Sequence, residues 1–414
     1  MILSRRGLLQ GLGVSAGAAI GTRLAGPTLI GNANAATEPA TLVHIMFSGG
    51  INAIFTGGAN ILAGKFESEG AAIHRLGTSD LYVDTGTMGK MPDFAKTHWA
   101  AIGVKHGNTA HLDRGAERAL LFNLANGECN ALRLASAMGG DSPLKAVHFG
   151  DRMPYNAKQA VKPVDGISLQ RITDLGEASK DLSTSTVVDP KVPNRALAAG
   201  GVTAAQGMSS YLIGQNPTSL QSAADGYKAA IDTLNTPIPP APPVTFDQIK
   251  TAYGMGGTGV DGKNFASIMG GTEVMIRAMR TNVISITYNT LVLWDFHQKR
   301  SNGTSLNGAY SRTKFTREVV TPLQTFLSRM LNLPDRNVVV VLTGDFVRLP
   351  NTDHGDGTLV AVMGKYVKPK LSYPCNGNAQ FGGNTPGTAG MWSAFAAAVK
   401  SPVNPFGADP HVIV

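Results

Sequence analysis

Apolar residues along this chain come in short dense runs more often than in alternation. "TLVHIMF" (41–47), "WAAIGV" (99–104), "NVISITYN" (282–289) and "VVVVL" (338–342) are rich in β-branched or aliphatic side chains, and each gives way to Gly, Asn or charged residues. Runs of that length and makeup fit strands covered on both faces, which have no polar side to show. Between them the period lengthens to that of a helix. "NFASIMGGTEVMIRAMR" (264–280) predicts an amphipathic helix, and "REVVTPLQTFLSRMLN" (317–332) places Val319, Leu323, Phe326, Leu327 and Met330 on one helical face, with Pro322 starting or kinking it. "HLDRGAERALLFNLANG" (111–127) predicts a third helix, capped by Asn108 or Thr109 and ended by Gly127. Strand, loop, helix, strand in that order predicts an α/β sheet with helices on both faces, whose ligands sit beyond the carboxyl ends of the strands.

The middle of the chain has a weaker rhythm. Residues 150–250 are rich in Ser, Thr, Ala, Gly and Pro, with helical stretches expected near 203–213 and 219–234. "TPIPPAPPV" (236–244) reads as a polyproline-like connector. The segment is expected to be a lid or an insertion within one α/β domain spanning 37–414. No period of 20 to 50 residues recurs, which excludes a repeat architecture.

The first 36 residues are expected to stand outside that domain. They combine Arg5 and Arg6, a mildly apolar Gly/Ala-rich stretch and Ala33-Asn34-Ala35, the layout of a signal peptide with a small-residue cleavage site. Ser4-Arg5-Arg6-Gly7-Leu8-Leu9 resembles the twin-arginine export signal. The expected location is periplasmic or extracellular, with the twin-arginine translocase as partner during export. No later stretch approaches about 20 uninterrupted apolar residues, so no span is expected in the mature chain.

Composition narrows the classes. The chain of 414 residues is 43% apolar and 15% charged with 49 glycines, a loop-rich globular makeup. Its formal charge is +8, but Arg5, Arg6 and Arg23 belong to the leader, which holds no acid, leaving about +5 on the rest. No Lys/Arg cluster reads as a nucleic-acid patch. Cys129 and Cys375 lack metal-ligand spacing, and in an oxidising compartment they are free to pair or to stay apart.

Three predicted strand ends carry the polar chemistry. "SGGINA" bears Asn52, "WDFH" bears Asp295 and His297 on one face of an extended segment, and "TGDFVRLPNTDHGDG" (343–357) bears Asp345, Arg348, Asp353 and His354. Carboxylates and imidazoles from separate strand ends suit a divalent-metal cage for zinc, manganese, iron or calcium. Each element also has a plainer reading: Asp-His in a Gly-rich loop as a solvated turn, His44 as a core histidine, His411 as a terminal residue or a late metal ligand. His74, His98, His106 and His148 show no spacing partner, and the Met and Phe residues of 315–333 read as core.

Four islands resemble the exported domain-of-unknown-function 1501 proteins. Asp345-Phe346-Val347-Arg348-Leu349-Pro350 followed by Asp353-His354 is similar to that family's Glu-Phe-Gly-Arg-Thr-Pro and Asp-His pattern. "NVISITYNTLVLWDFHQ" resembles its Trp-Asp-Thr-His segment, "LVHIMFSGGINAI" its first strand and Gly-Gly-x-Asp turn, and "AIGVKHGNTAHLD" the segment bearing Ser-His. The family is similar to the alkaline phosphatase and sulfatase superfamily. The resemblance therefore implies an alkaline-phosphatase-like, mostly parallel sheet and a metal-dependent phosphate- or sulfate-ester hydrolase using zinc, manganese or calcium. By matching position, Asp295, His297, Asp353 and His354 would be metal ligands with Asn52 at the place of the first-strand Asp. Thr109 and His111 would serve the chemistry, and Arg348 would be an anion clamp or a structural ion pair, with Asp345 as its partner. Departures point the other way. Asn52 is a poor ligand for a hard cation, Ala110 stands where a Ser is expected, and Val347 replaces a Gly. The second expectation is accordingly a catalytically degenerate cell-envelope protein on the same fold, binding an anionic small molecule or an envelope polymer.

Overall fold

The computed structural model describes residues 38–414 apart from 60, 67–69, 109, 112–114, 141, 143, 151–160, 173–174, 176–206, 208–243, 258, 262, 289–306, 351 and 353. The strands in chain order are β1 (Ala40–Phe47), β2 (Ile51–Asn52), β3 (Ile73–Arg75), β4 (Tyr82–Asp84), β5 (Trp99–Lys105), β6 (Ala146–Phe149), β7 (Gln170–Arg171), β8 (Val283–Tyr288), β9 (Asn337–Gly344), β10 (Val347–Arg348), β11 (Gly357–Gly364) and β12 (Lys370–Ser372). Eight of them form one sheet in the order β12-β5-β11-β9-β1-β8-β6-β7. Every neighbour pair is parallel except those of β11, which runs antiparallel to β9 and β5. Short β2 and β10 pair in parallel beyond the main sheet, and β3 and β4 form a two-stranded antiparallel sheet.

The four apolar runs became the strands β1, β5, β8 and β9, and the reason is visible in their burial. All eight residues of β1 and of β9 are buried. Alternate side chains then divide between two cores: Val43, Ile45 and Phe47 enter one with Val338, Val340 and Leu342, while Leu42 and Met46 enter the other with Val339 and Val341. Helices Phe246–Tyr253, Phe265–Met279 and Thr321–Met330 cover the first face; Asn130–Met138 and Thr388–Ala398 cover the second. The architecture is α/β, with a large mostly parallel sheet between helical layers. Cys129 and Cys375 are buried in these opposite cores, so the sheet itself separates them.

The helix of 264–280 forms over Phe265–Met279, with the Asn264 side chain accepting from the Ser267 amide. The helix around Pro322 is confirmed with a refinement. Proline has no N–H to give to the preceding turn, and the chain widens into a π-helical segment, Thr316–Val320, before resuming as Thr321–Met330. The expected helix of 111–127 is cut to Ala116–Leu121. Phe122 turns extended and bridges to Cys129, while the side chains of Asn123 and Asn126 each accept a backbone amide two residues on (3.0 Å in both cases). Such local bonds offer the backbone an alternative to the helix, and a separate helix, Asn130–Met138, follows. The helices expected at 203–213 and 219–234 lie almost wholly outside the described residues, as does the Pro-rich connector up to Val244. Among the described residues no helix is long and apolar enough to cross a membrane.

Candidate functional site

Phe47 of β1 lies opposite both Tyr288 of β8 and Gly344 of β9, so the three strands finish level. Lys105 of β5 lies opposite Gly357 of β11, which brings the end of β5 and the start of β11 to the same edge. Ser48-Gly49-Gly50, Asp345, His106 and Asp356 therefore all leave the sheet where α/β proteins place ligands. Close passage of chains is what allows it: a Cβ on Gly344 would stand 2.4 Å from the Ile51 amide nitrogen. Pairing of Arg348 with Asn52 then folds β10 and β2 across the edge.

The polar cluster is built on that edge. Asp345 is fully buried and its Oδ2 accepts a hydrogen bond from His111 Nδ1. Asp345 Oδ1 has no hydrogen-bond partner among the described residues. On the far side of the ring, Arg348 Nη2 lies 3.3 Å from His111 Nε2 and donates to the Gly49 carbonyl at 2.9 Å. The His354 ring meets His111 edge-on, with centroids 4.3 Å apart, and stacks on Phe346 at 4.5 Å. Asn52 Nδ2 donates to Ser311 Oγ at 2.8 Å. His111, Arg348, His354 and Asn52 are thus one neighbourhood. Thr109, Asp295, His297 and Asp353 lie outside the described residues.

One role differs from expectation. The partner of the Asp345 carboxylate is His111, because the guanidinium of Arg348 is directed to the Gly49 carbonyl and the imidazole. His411 is not part of this neighbourhood: it is buried beside the outer strand β12, against Ser372 Oγ (3.1 Å) and the Tyr373 ring. His106, in contrast, belongs to the site although nothing in its local spacing shows it. Its Nε2 donates to the Asp345 carbonyl at 2.8 Å while its Nδ1 accepts the Asn108 amide at 3.1 Å, an arrangement only the neutral ring can make. Burial holds its pKa below the ordinary histidine value, against the opposing pull of the Asp345 carbonyl and the charges of Asp345 and Asp356. The one sequence signal was its position just after β5. Asp356 closes the rim, paired with Lys105 Nζ at 2.9 Å and accepting the Phe381 amide at 2.9 Å.

The described donors do not fit a metal centred on His111. Among the described residues no group of three His, Cys, Asp or Glu side chains is gathered to hold an ion, and a guanidinium faces the ring nitrogen that a metal would need.

No protein-family model and no curated protein matches the chain. Among solved structures, the chain is similar to Ps i-CgsB, determined alone and in complex with k-i-k-neocarrahexaose. Each likeness is at 10% identity over 91% of this chain and 76% of the other, with a TM-score of 0.34. A likeness at that level assigns neither fold family nor activity.

Proposed function

We propose that the strand-end cluster is a site for an anionic ester, a phosphate or sulfate, in an exported hydrolase-like protein with an alkaline-phosphatase-like sheet. The observation that carries this reading is the Asp345–His111–Arg348 array at the carboxyl ends of parallel strands. A guanidinium matches the oxygens of a phosphate or sulfate and strengthens its bonds to them by charge. Once Arg348 is engaged with that anion, His111 Nε2 is open to a water. The ring takes one proton from the water as its oxygen attacks phosphorus or sulfur, and Asp345 stabilises the imidazolium formed. That proton then passes to the departing ester oxygen, giving an alcohol and the inorganic anion. A zinc, manganese or calcium ion held by Asp295, His297, Asp353 and His354 would polarise the ester oxygens; of these four only His354 lies among the described residues.

A second reading has its own support. Ser311 Oγ accepts from Asn52, and the position before His111 is Ala110, where the family resemblance leads to the expectation of a Ser. On that reading the site binds an anionic small molecule or envelope polymer without turning it over. The deciding experiment assays the purified chain on aryl phosphates and aryl sulfates and measures binding of inorganic phosphate and sulfate by calorimetry. Metal content is read by elemental mass spectrometry in parent and Asp353→Ala/His354→Ala protein. Turnover lost in His111→Ala and in Arg348→Ala supports the hydrolase. Anion binding that needs Arg348 but brings no turnover supports the binding protein, and neither binding nor turnover rejects both.

A further inference from the structure

His111 is engaged at both ring nitrogens, and the two contacts agree. A carboxylate only accepts, so the nitrogen facing Asp345, Nδ1, carries the proton. A guanidinium only donates, so Nε2 presents its lone pair to Arg348 Nη2 at 3.3 Å. One neutral tautomer satisfies both. A metal on that lone pair would sit about 2 Å from the nitrogen. Arg348 stands in the same direction and carries charge of the same sign.

The seat of Arg348 is built into the fold. The residue is 1% exposed, and Nη2 is shared between His111 and the Gly49 carbonyl. Its stem lies over Gly50, where a Cβ would fall 2.5 Å from Arg348 Nε, and Gly50 holds φ +115, which side-chain-bearing residues rarely adopt. Its position opposite Asn52 in the β2–β10 pair fixes the backbone from which it reaches.

We infer that Arg348 is the resident cation of this site, standing where a metal on His111 would stand, and that an oxyanion drawing the guanidinium onto itself is what frees His111 Nε2. An oxyanion makes charge-assisted bonds that a neutral imidazole and a carbonyl cannot equal, so it can compete for the guanidinium. The release half of this inference rests on the anion reading proposed above; the exclusion of metal from His111 does not.

The test is nuclear magnetic resonance of the ¹⁵N-histidine-labelled chain, with the His111 signals identified by their loss in His111→Gln. Zn²⁺ is titrated without and with inorganic sulfate. In the parent chain His111 carries its proton on Nδ1, and Zn²⁺ leaves Nε2 unmoved. In Arg348→Met, Zn²⁺ shifts Nε2 and binds there about tenfold or more tighter than in the parent. Gly50→Ala, which displaces the guanidinium without removing its charge, also opens Nε2 and serves where Arg348→Met fails to fold. Zn²⁺ moving Nε2 as readily in the parent as in the variants, or a parent proton on Nε2, overturns the metal-exclusion half. Sulfate that leaves the parent Nε2 signal in place overturns the release half alone. Absence of ester turnover touches neither.

Discussion

Asp345→Asn changes almost nothing in shape and removes a carboxylate charge that holds the His111 ring. An amide can donate as well as accept, so the ring loses its single tautomer, and the imidazolium formed during proton transfer loses its counter-charge. On the hydrolase reading, kcat/KM for the best aryl ester falls by on the order of 10²-fold or more. A variant that keeps the parent kcat/KM would remove Asp345 from the chemistry. The same residue shows what sequence can and cannot reveal about a side chain. Its place beyond a buried strand was legible, and so was its nearness to Arg348. Its partner was not, because His111 is 234 residues away and reaches it only through the fold. His106 was missed for the same cause: its contact with the Asp345 carbonyl spans 239 residues.

At the scale of elements, Glu273 ties three helices together on one face of the sheet. Its buried carboxylate accepts from Tyr253 on the helix before (2.8 Å), from Arg277 on its own helix (2.7 Å) and from Arg329 on the helix after Pro322 (2.7 and 2.8 Å). These bonds outweigh burial and hold its pKa below the ordinary glutamate value. Burial together with the glutamate charge pushes the Tyr253 hydroxyl well above its own. Glu273→Ala strands both guanidinium groups and the hydroxyl, and the expected loss in denaturant-measured stability is about 3 kcal/mol at neutral pH. The sign with pH follows from the lowered pKa. The contribution is complete above the unfolded-state value of about 4.3 and is lost as pH falls through the folded one. The gap between parent and variant should therefore close below about pH 4; a gap unchanged there would mean that packing, not charge, sets it. Amphipathic spacing made the helix legible, but an interior Glu gives no sign in sequence that two arginines will meet it.

For the molecule as a whole, buried histidines contribute to the response to acid, His44 and His411 most strongly. His44 lies within β1, between the Thr343 hydroxyl (2.9 Å) and the rings of Trp392 and Phe395, and burial lowers its pKa from 6.5 to about 4. Burial does the same to His411, again to about 4. Both are neutral in the folded chain, whereas the unfolded chain takes up protons below pH 6.5. Stability is thus complete above that pH and declines as pH falls from 6.5 to 4, by about 3 kcal/mol for each histidine. Chemical denaturation across this window should show the decline, and His44→Gln should make it shallower. An equal slope in parent and variant would place the acid response elsewhere.

The sequence by itself determined the layers. Continuous apolar runs cannot face water on either side, so they had to become covered strands, and the helical periods between them had to supply the cover. It also determined that charge would collect at strand ends, since a buried strand can shed its polar groups only there. Tertiary structure alone decided the order β12-β5-β11-β9-β1-β8-β6-β7 and the reversal of β11, because an apolar run carries no mark of its neighbour or direction. It alone brought Arg348 to within 3.3 Å of His111, over a glycine with no side chain to block the approach, across 237 residues of chain that no local pattern links.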